Sequence, residues 1–219
     1  MRRAVWRFGG LAVGIIGLTA QPLNSLAAQV SVRFSLGGRY STALVRDQLV
    51  VPIDTGPVRD SLVVPIDLHP ALAPTLQLSV RNQFKGPWTG DVTIDMSSSK
   101  LKRHESGNDF DAGSLTAVAL TVGLHHDLVA NIGVRVGIGG LVYSGSDLGV
   151  FQRGSGGILP LVSLATTYAP SFGERHGIEF ALQYDVHRFL TPALRSVGFN
   201  RPRPVHRIAI SVSGRLLGK

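Results

Sequence analysis

The sequence predicts an all-β fold, an eight-stranded antiparallel up-and-down β-barrel that crosses a membrane. Three observations predict it. Apolar and polar residues alternate with period two through eight segments of roughly 9–12 residues, close to the ~9–11 a tilted strand needs to cross a bilayer. The connections between them are long and short by turns, whereas a soluble meander has no reason to sort its loops by parity. The first residues also have the layout of an export signal.

The stretch Ile178–Val186 (IEFALQYDV) shows the alternation most clearly, with Phe180, Leu182, Tyr184 and Val186 on one face and Glu179, Gln183 and Asp185 on the other. If the polar face points inward, the apolar face meets lipid, which inverts the arrangement of a soluble barrel.

Taken in order, the first strand carries Val30, Val32, Phe34 and Leu36 opposite Ser31, Arg33 and Ser35, and a long uneven segment follows from 41 to 70. The second (75–84) and third (91–97) are joined by the compact turn Lys85-Gly86-Pro87-Trp88-Thr89-Gly90, in which glycine and proline supply the backbone geometry. A polar loop is expected over 98–113, then a fourth strand (115–124), a short connection through His125-His126-Asp127-Leu128, and a fifth strand from Ile132 to Tyr143. A Gly/Ser-rich loop (144–157) precedes the sixth strand (161–168), whose small face is the least polar. Residues 169–177 turn the chain into the seventh strand, and a proline-rich loop (190–204) leads to the eighth, with Ile208, Ile210, Val212 and Leu216 outward. Phe84, Trp88, Tyr168 and Phe172 fall at the short-turn end and Tyr40, Tyr143 and Phe189 at the long-loop end, the places where aromatic girdles meet the two lipid interfaces.

Residues 1–28 are expected to be a cleaved signal peptide. Arg2, Arg3 and Arg7 form its basic start, Leu11–Ala20 its apolar core, and Ser25–Ala28 its small-residue cleavage site. The apolar core is shorter than the ~20 residues a spanning helix requires. Residues 29–219 then form the barrel. The net charge of +8 falls to +5 when the three leader arginines are removed. The remaining arginines are scattered rather than clustered, which argues against a nucleic-acid partner. The chain has no cysteine, so disulfide frameworks, thiolate catalysis and Cys-based zinc sites are excluded.

The inward face collects Arg33, Arg81, Arg135, Arg207 and Arg215 against Asp91, Asp95, Glu179 and Asp185. Charges in a narrow interior are costly unless paired, and eight strands leave a lumen just wide enough for side chains to fill. These nine residues are expected to form a structural salt-bridge network, with a narrow ion path along the same groups as the competing reading.

Leader, eight alternating strands and loop parity together resemble the small OmpA/OmpX-type outer-membrane barrels. The resemblance covers the whole mature chain, is architectural and carries no catalytic motif. It implies the outer membrane of a Gram-negative-type envelope, with outer-membrane lipid and lipopolysaccharide as surroundings. The chain departs from that class at Gly214–Lys219, where such barrels carry an aromatic residue.

The first long loop contains a repeat. Arg46-Asp47-Gln48-Leu49-Val50-Val51-Pro52-Ile53-Asp54 recurs as Arg59-Asp60-Ser61-Leu62-Val63-Val64-Pro65-Ile66-Asp67, with eight of nine positions identical. Two copies are too few for a solenoid. One reading is a tandem duplication in a tolerant outer loop. Another is a projecting hairpin that offers Leu49, Val50, Val51, Leu62, Val63 and Val64 to an extracellular protein partner by strand addition. Two further spanning strands are disfavoured by Pro52 and Pro65.

Other candidates are weaker. His104, Glu105, Asn108, Asp109 and Asp111 with Gly113 miss the spacing of a calcium loop. His125 and His126 are adjacent where a metal pair favours i, i+4 or cross-strand geometry. His187 and His206 are expected to approach at the outer rim, and His187 with Ser211 or Ser213 is the one arrangement suggesting a lipid-modifying hydrolase. No nucleophile elbow, phosphate loop or dinucleotide fingerprint is present. The expectation is a structural or surface-interacting membrane barrel that is not an enzyme and needs no cofactor or metal. A channel, a lipid-modifying enzyme and a soluble ligand-binding barrel are the alternatives.

Overall fold

The structure, a computed structural model, describes residues 30–54, 59–84, 86–105, 107–129, 131–145, 151, 157–170, 177–196 and 201–217. The proposed leader and Phe172 lie outside these residues. Among the described residues there are ten strands: β1 (Val30–Ser41), β2 (Val45–Asp54), β3 (Arg59–Pro70), β4 (Ala73–Gln83), β5 (Trp88–Glu105), β6 (Asn108–Val129), β7 (Ile132–Gly145), β8 (Leu159–Tyr168), β9 (Glu179–Phe189) and β10 (Arg203–Leu217). A short helix, α1 (Pro192–Ser196), sits between β9 and β10.

Eight of the strands close into a ring. β1 pairs with β4 on one side and β10 on the other, and the circuit runs through β5, β6, β7, β8 and β9 with every pairing antiparallel. Closure leaves no unpaired edge in the ring, which lipid requires because it cannot hydrogen-bond a free N–H or C=O. The remaining two, β2 and β3, pair with each other, and β3 joins β5 only through Ile66–Pro70 against Leu101–Glu105. They extend the sheet beyond the outer rim and are not wall strands.

Strand parity sorts the two faces. Leu36, Leu78, Ile94, Val122, Ile138, Val162, Leu182 and Ile210 point outward, with Ile138 68% and Ile210 65% exposed. Arg33, Ser35, Ser79, Thr93, Asp95, Thr121, Ser163 and Ser211 are buried inside. A soluble protein would not leave such a belt in water, whereas a membrane strand alternates in this way. No helix among the described residues is long and apolar enough to cross a membrane.

Several expectations need correction. The polar loop expected at 98–113 is instead largely strand, since β5 and β6 continue past the apolar belt until Glu105 stands opposite Asn108. His125–Leu128 belongs to β6, which pairs with β7 as far as Val129 opposite Ile132. Tyr143 and Phe189 do not join an outer aromatic girdle, because both are inward and buried. With Leu44, Leu68, Leu101, Leu115, Leu141, Phe151, Leu159, Leu194 and Val205 they build an apolar core that closes the outer end of the barrel. Tyr143 and Phe189 meet edge to face at 5.6 Å, a favoured aromatic geometry.

Two glycines allow the wall to pack. A Cβ on Gly37 would lie 2.1 Å from the Ile210 carbonyl oxygen, and one on Gly139 would lie 1.9 Å from that of Leu120.

Candidate functional site: the charged lumen

Two tiers of ion pairs fill the polar part of the interior. In the tier nearer the short turns, Arg81 of β4 donates two bonds to Glu179 of β9 at 2.9 and 2.8 Å. Arg33 of β1 lies 3.5 Å from the same carboxylate and donates to the Gly177 carbonyl at 2.8 Å and to Ser213 Oγ at 3.2 Å. On the other side of the lumen, Arg135 of β7 reaches Asp91 of β5 through Nε at 2.9 and 2.8 Å and through Nη2, which also donates to Thr121 Oγ1 at 3.0 Å. Gly123 and Gly137 make room for this guanidinium, since a Cβ on either would stand 2.7 or 2.9 Å from its nitrogens.

The tier nearer the outer end is a closed circuit. Arg39 Nη1 and Nη2 both donate to Asp95, the second at 2.7 Å, and Nη2 lies 3.6 Å from Asp185. Gln77 Nε2 bridges Asp95 at 2.7 Å and Gln183 Oε1 at 2.8 Å, and Gln183 Nε2 returns to Asp185 at 2.8 Å. Arg207 completes the tier, 3.8 Å from Asp95 and 3.4 Å from Ser97 Oγ. Arg39 and Arg207 are each 1% exposed. Bidentate arginine–carboxylate geometry of this kind is the strong form of the interaction. It matters here because an unpaired buried charge would cost several kcal/mol. Above this tier, Tyr143 Oη and His187 Nε2 meet at 3.0 Å beneath the apolar core.

Of the nine inward residues named from the sequence, Arg33, Asp91, Asp95, Arg135, Glu179, Asp185 and Arg207 are buried in these tiers, and Arg81 is half-buried. Arg215 is the exception. It is exposed, although it stands opposite the buried Arg33 on β1, next to a register slip between Val32 and Arg33 near the end of β10. Arg39 was missed, although its parity with Arg33 across Ser35 and Gly37 marks it as inward. The alternation expected for the first strand stops at Leu36, three residues short of Arg39.

The other candidates separate. His187 is inward and His206 outward, where it stacks on Tyr184 with Nδ1 2.6 Å from the phenol oxygen. One residue of register, Val205 opposite His187 and His206 opposite Val186, puts them on opposite faces. Ser213 bonds Arg33 and the Glu179 carbonyl at the far end of the lumen, and Ser211 pairs with Ala181, so neither meets His187. His125 is buried with Nε2 3.0 Å from Asp127, while His126 turns outward against Trp88. His104 and Lys102 hold Asp109 at 2.8 and 3.4 Å, and Lys100 holds Asp111 at 3.3 Å. The acidic loop is therefore the exposed end of a hairpin. Leu49, Val50, Val51, Leu62, Val63 and Val64 are placed by backbone register alone; their side chains lie outside the described residues.

A closed antiparallel ring with an apolar outer belt and an ion-paired interior has the make-up of a small membrane-spanning β-barrel. The chain's solved-structure neighbours include Ail, the attachment invasion locus protein of Yersinia pestis, crystallised with the heparin analogue sucrose octasulfate. That pair shares 13% identity over 86% of this chain and 99% of the other, with a TM-score of 0.46. The outer membrane protein OprG of Pseudomonas aeruginosa is similar at 11% identity over 88% and 100%, TM-score 0.42. OmpT, an outer membrane protein of Vibrio cholerae, is similar at 11% identity over 84% and 52%, TM-score 0.29. No family model matches the chain, and no curated protein does.

Proposed function

We propose that this protein is a non-conducting outer-membrane barrel with a structural or surface-interacting role, exported by a leader that is removed after residue 28. One observation carries the reading. The cavity between the tiers, lined by Gln77, Arg81, Arg135, Glu179 and Gln183 among others, is about 30 Å³. At the ~10–15 Å³ of accessible space that each water requires, this is room for about two or three water molecules. An ion path needs a continuous file of such spaces, and here the outer end is closed by Leu101, Leu141 and Phe189, each at most 1% exposed. The nine-residue charge set named from the sequence serves, in this reading, as the structural filling of the lumen, with Arg39 added and Arg215 removed.

The surface role falls to what projects beyond the rim, namely the β2–β3 hairpin and the ends of β5 and β6. The partners are the surrounding lipid and lipopolysaccharide and, through the repeat hairpin, an extracellular protein that pairs with its backbone edge. The test is conductance. Purified protein inserted into planar bilayers should give no defined current steps, whereas steps of fixed amplitude that scale with salt would establish a channel instead.

A further inference from the structure

The outer rim between the end of β1 and the start of β10 carries an arrangement that the lumen does not use. Pro204 and His206 continue the outward row of β10, directly above the lipid-facing Ile208 and Ile210. On them lies a groove of about 420 Å³ lined by Thr42, Ala43, Arg46, Arg203, Pro204 and His206. Its floor is fixed, since Thr42 N donates to the His206 carbonyl at 2.9 Å and His206 N donates to Thr42 Oγ1 at 3.0 Å. A second depression of about 160 Å³ adjoins it, sharing Arg46 and Arg203, with Arg201 at its mouth and Leu44, Phe189 and Leu194 beneath.

Charge in this region is one-sided. Arg46 bonds Asp67 at 2.9 Å but keeps an exposed side chain. Arg201 and Arg203, and Arg188 beside Pro204 on the neighbouring strand, make no ion pair among the described residues. Elsewhere above the rim the cations are matched, Lys100 with Asp111 and Lys102 with Asp109. Tyr40 and Tyr184 are exposed on either side of Ile208 just below, at the level where aromatic rings mark a lipid interface.

We propose that this groove binds the phosphate of an outer-leaflet glycolipid headgroup. Arg46 and Arg203 grip the phosphate, and an acyl chain descends over Tyr40, Ile208 and Ile210. Arginine suits this ligand because its planar donors match phosphate oxygens two at a time. Continuity of the groove with the lipid-facing row selects a membrane lipid over a soluble anion, which has no use for the apolar strip below. The inference rests on the membrane reading above and names its lipid partner.

The test uses the full chain in phosphatidylcholine nanodiscs, loaded with bisphosphorylated or dephosphorylated lipid A, and native mass spectrometry of the retained lipid. Wild type should retain the bisphosphorylated form at least about tenfold better than the dephosphorylated one. R46E/R203E should lose that preference, and K100E/K102E on the hairpin should keep it. Equal retention of the two lipids by wild type overturns the proposal, as does an undiminished preference in R46E/R203E or an equal loss in K100E/K102E. The heat-dependent gel shift of each variant reports separately on barrel integrity. Should R46E/R203E fail to fold, R203Q is read in its place, with the same preference reduced. A shift retained alongside a lost preference concerns the groove alone, while a missing shift in wild type would fell the membrane reading itself.

Discussion

Arg81 and Glu179 lie on strands that are not neighbours in the ring, and two parallel hydrogen bonds of 2.9 and 2.8 Å join them through the lumen. The pair is therefore a cross-brace. It holds β4 to β9 by a route independent of the backbone ladder, with Arg33 as a second cation on the same carboxylate. Replacing Glu179 by Gln should destabilise the barrel by about 3–5 kcal/mol, because the buried Arg33 and the half-buried Arg81 lose their counter-charge. Removing both partners in R81L/E179L should recover most of that loss. Urea unfolding in detergent micelles checks both, and an E179Q variant as stable as wild type would show that the brace carries no load.

Gly139 tests the close approach of the wall strands. A Cβ there would stand 1.9 Å from the Leu120 carbonyl oxygen and 2.8 Å from the Thr121 Cα. Backbone cannot retreat as a flexible side chain can, so G139A should cost about 1–3 kcal/mol. Gly38, where a Cβ meets nothing within 4 Å, serves as the control, and G38A should change the unfolding midpoint little.

The outer apolar core predicts a different failure. Truncating Phe189 to Ala removes a ring that contacts Tyr143 and Phe151 at 5.6 and 5.8 Å. It should cost about 3–5 kcal/mol while leaving the polar lumen and membrane insertion intact. Protease susceptibility of the outer loops should rise before the barrel unfolds. Simultaneous loss of both would mean that the cap and the wall form one cooperative unit.

Acid should loosen the hairpin of β5 and β6. Asp109 is held below its ordinary value of 3.8 chiefly by the bond from His104, with Lys102 assisting. Asp111 is held below it by the Gly113 amide and then Lys100. A depressed carboxylate favours the ordered hairpin above its ordinary value, and that contribution disappears as pH falls through the lowered one. The Gly113 amide, which donates to Asp111 at 2.9 Å, is the natural reporter. Its NMR shift should titrate with a midpoint below 3.8, and a midpoint above that would reverse the sign of the argument.

The spanning wall was readable because a strand has a period of two that does not drift, so one well-marked stretch assigns the faces of all the others. Ile138 and Ile210 outward and Ser163 inward follow from that rule. What lies above the membrane was harder. Lys100–Glu105 and Asn108–Gly113 carry only one large apolar residue each, Leu101 and Phe110, so alternation fades although the ladder continues to Glu105 opposite Asn108. The distance of Tyr143 and Phe189 along the chain suggests an outer girdle, whereas their parity with Arg135 and Asp185 points them inward. Inside the lumen, parity says which residues share a face but not who grips whom. That Arg135 closes on Asp91 depends on the space above Gly123 and Gly137, which no spacing rule encodes.

The repeat has one more consequence. Its unit begins with Arg and ends with Asp, and the two copies lie antiparallel, Arg46 opposite Asp67 and Asp54 opposite Arg59, with Val50 facing Val63 at the centre. A segment of this kind is its own complement when the chain doubles back. A single copy would leave a bare strand above the membrane, but copying it in tandem supplies the missing half, already matched in length and end charge. Loop growth by duplication can thus yield an ordered projection in a single step, without new contacts having to evolve beside it.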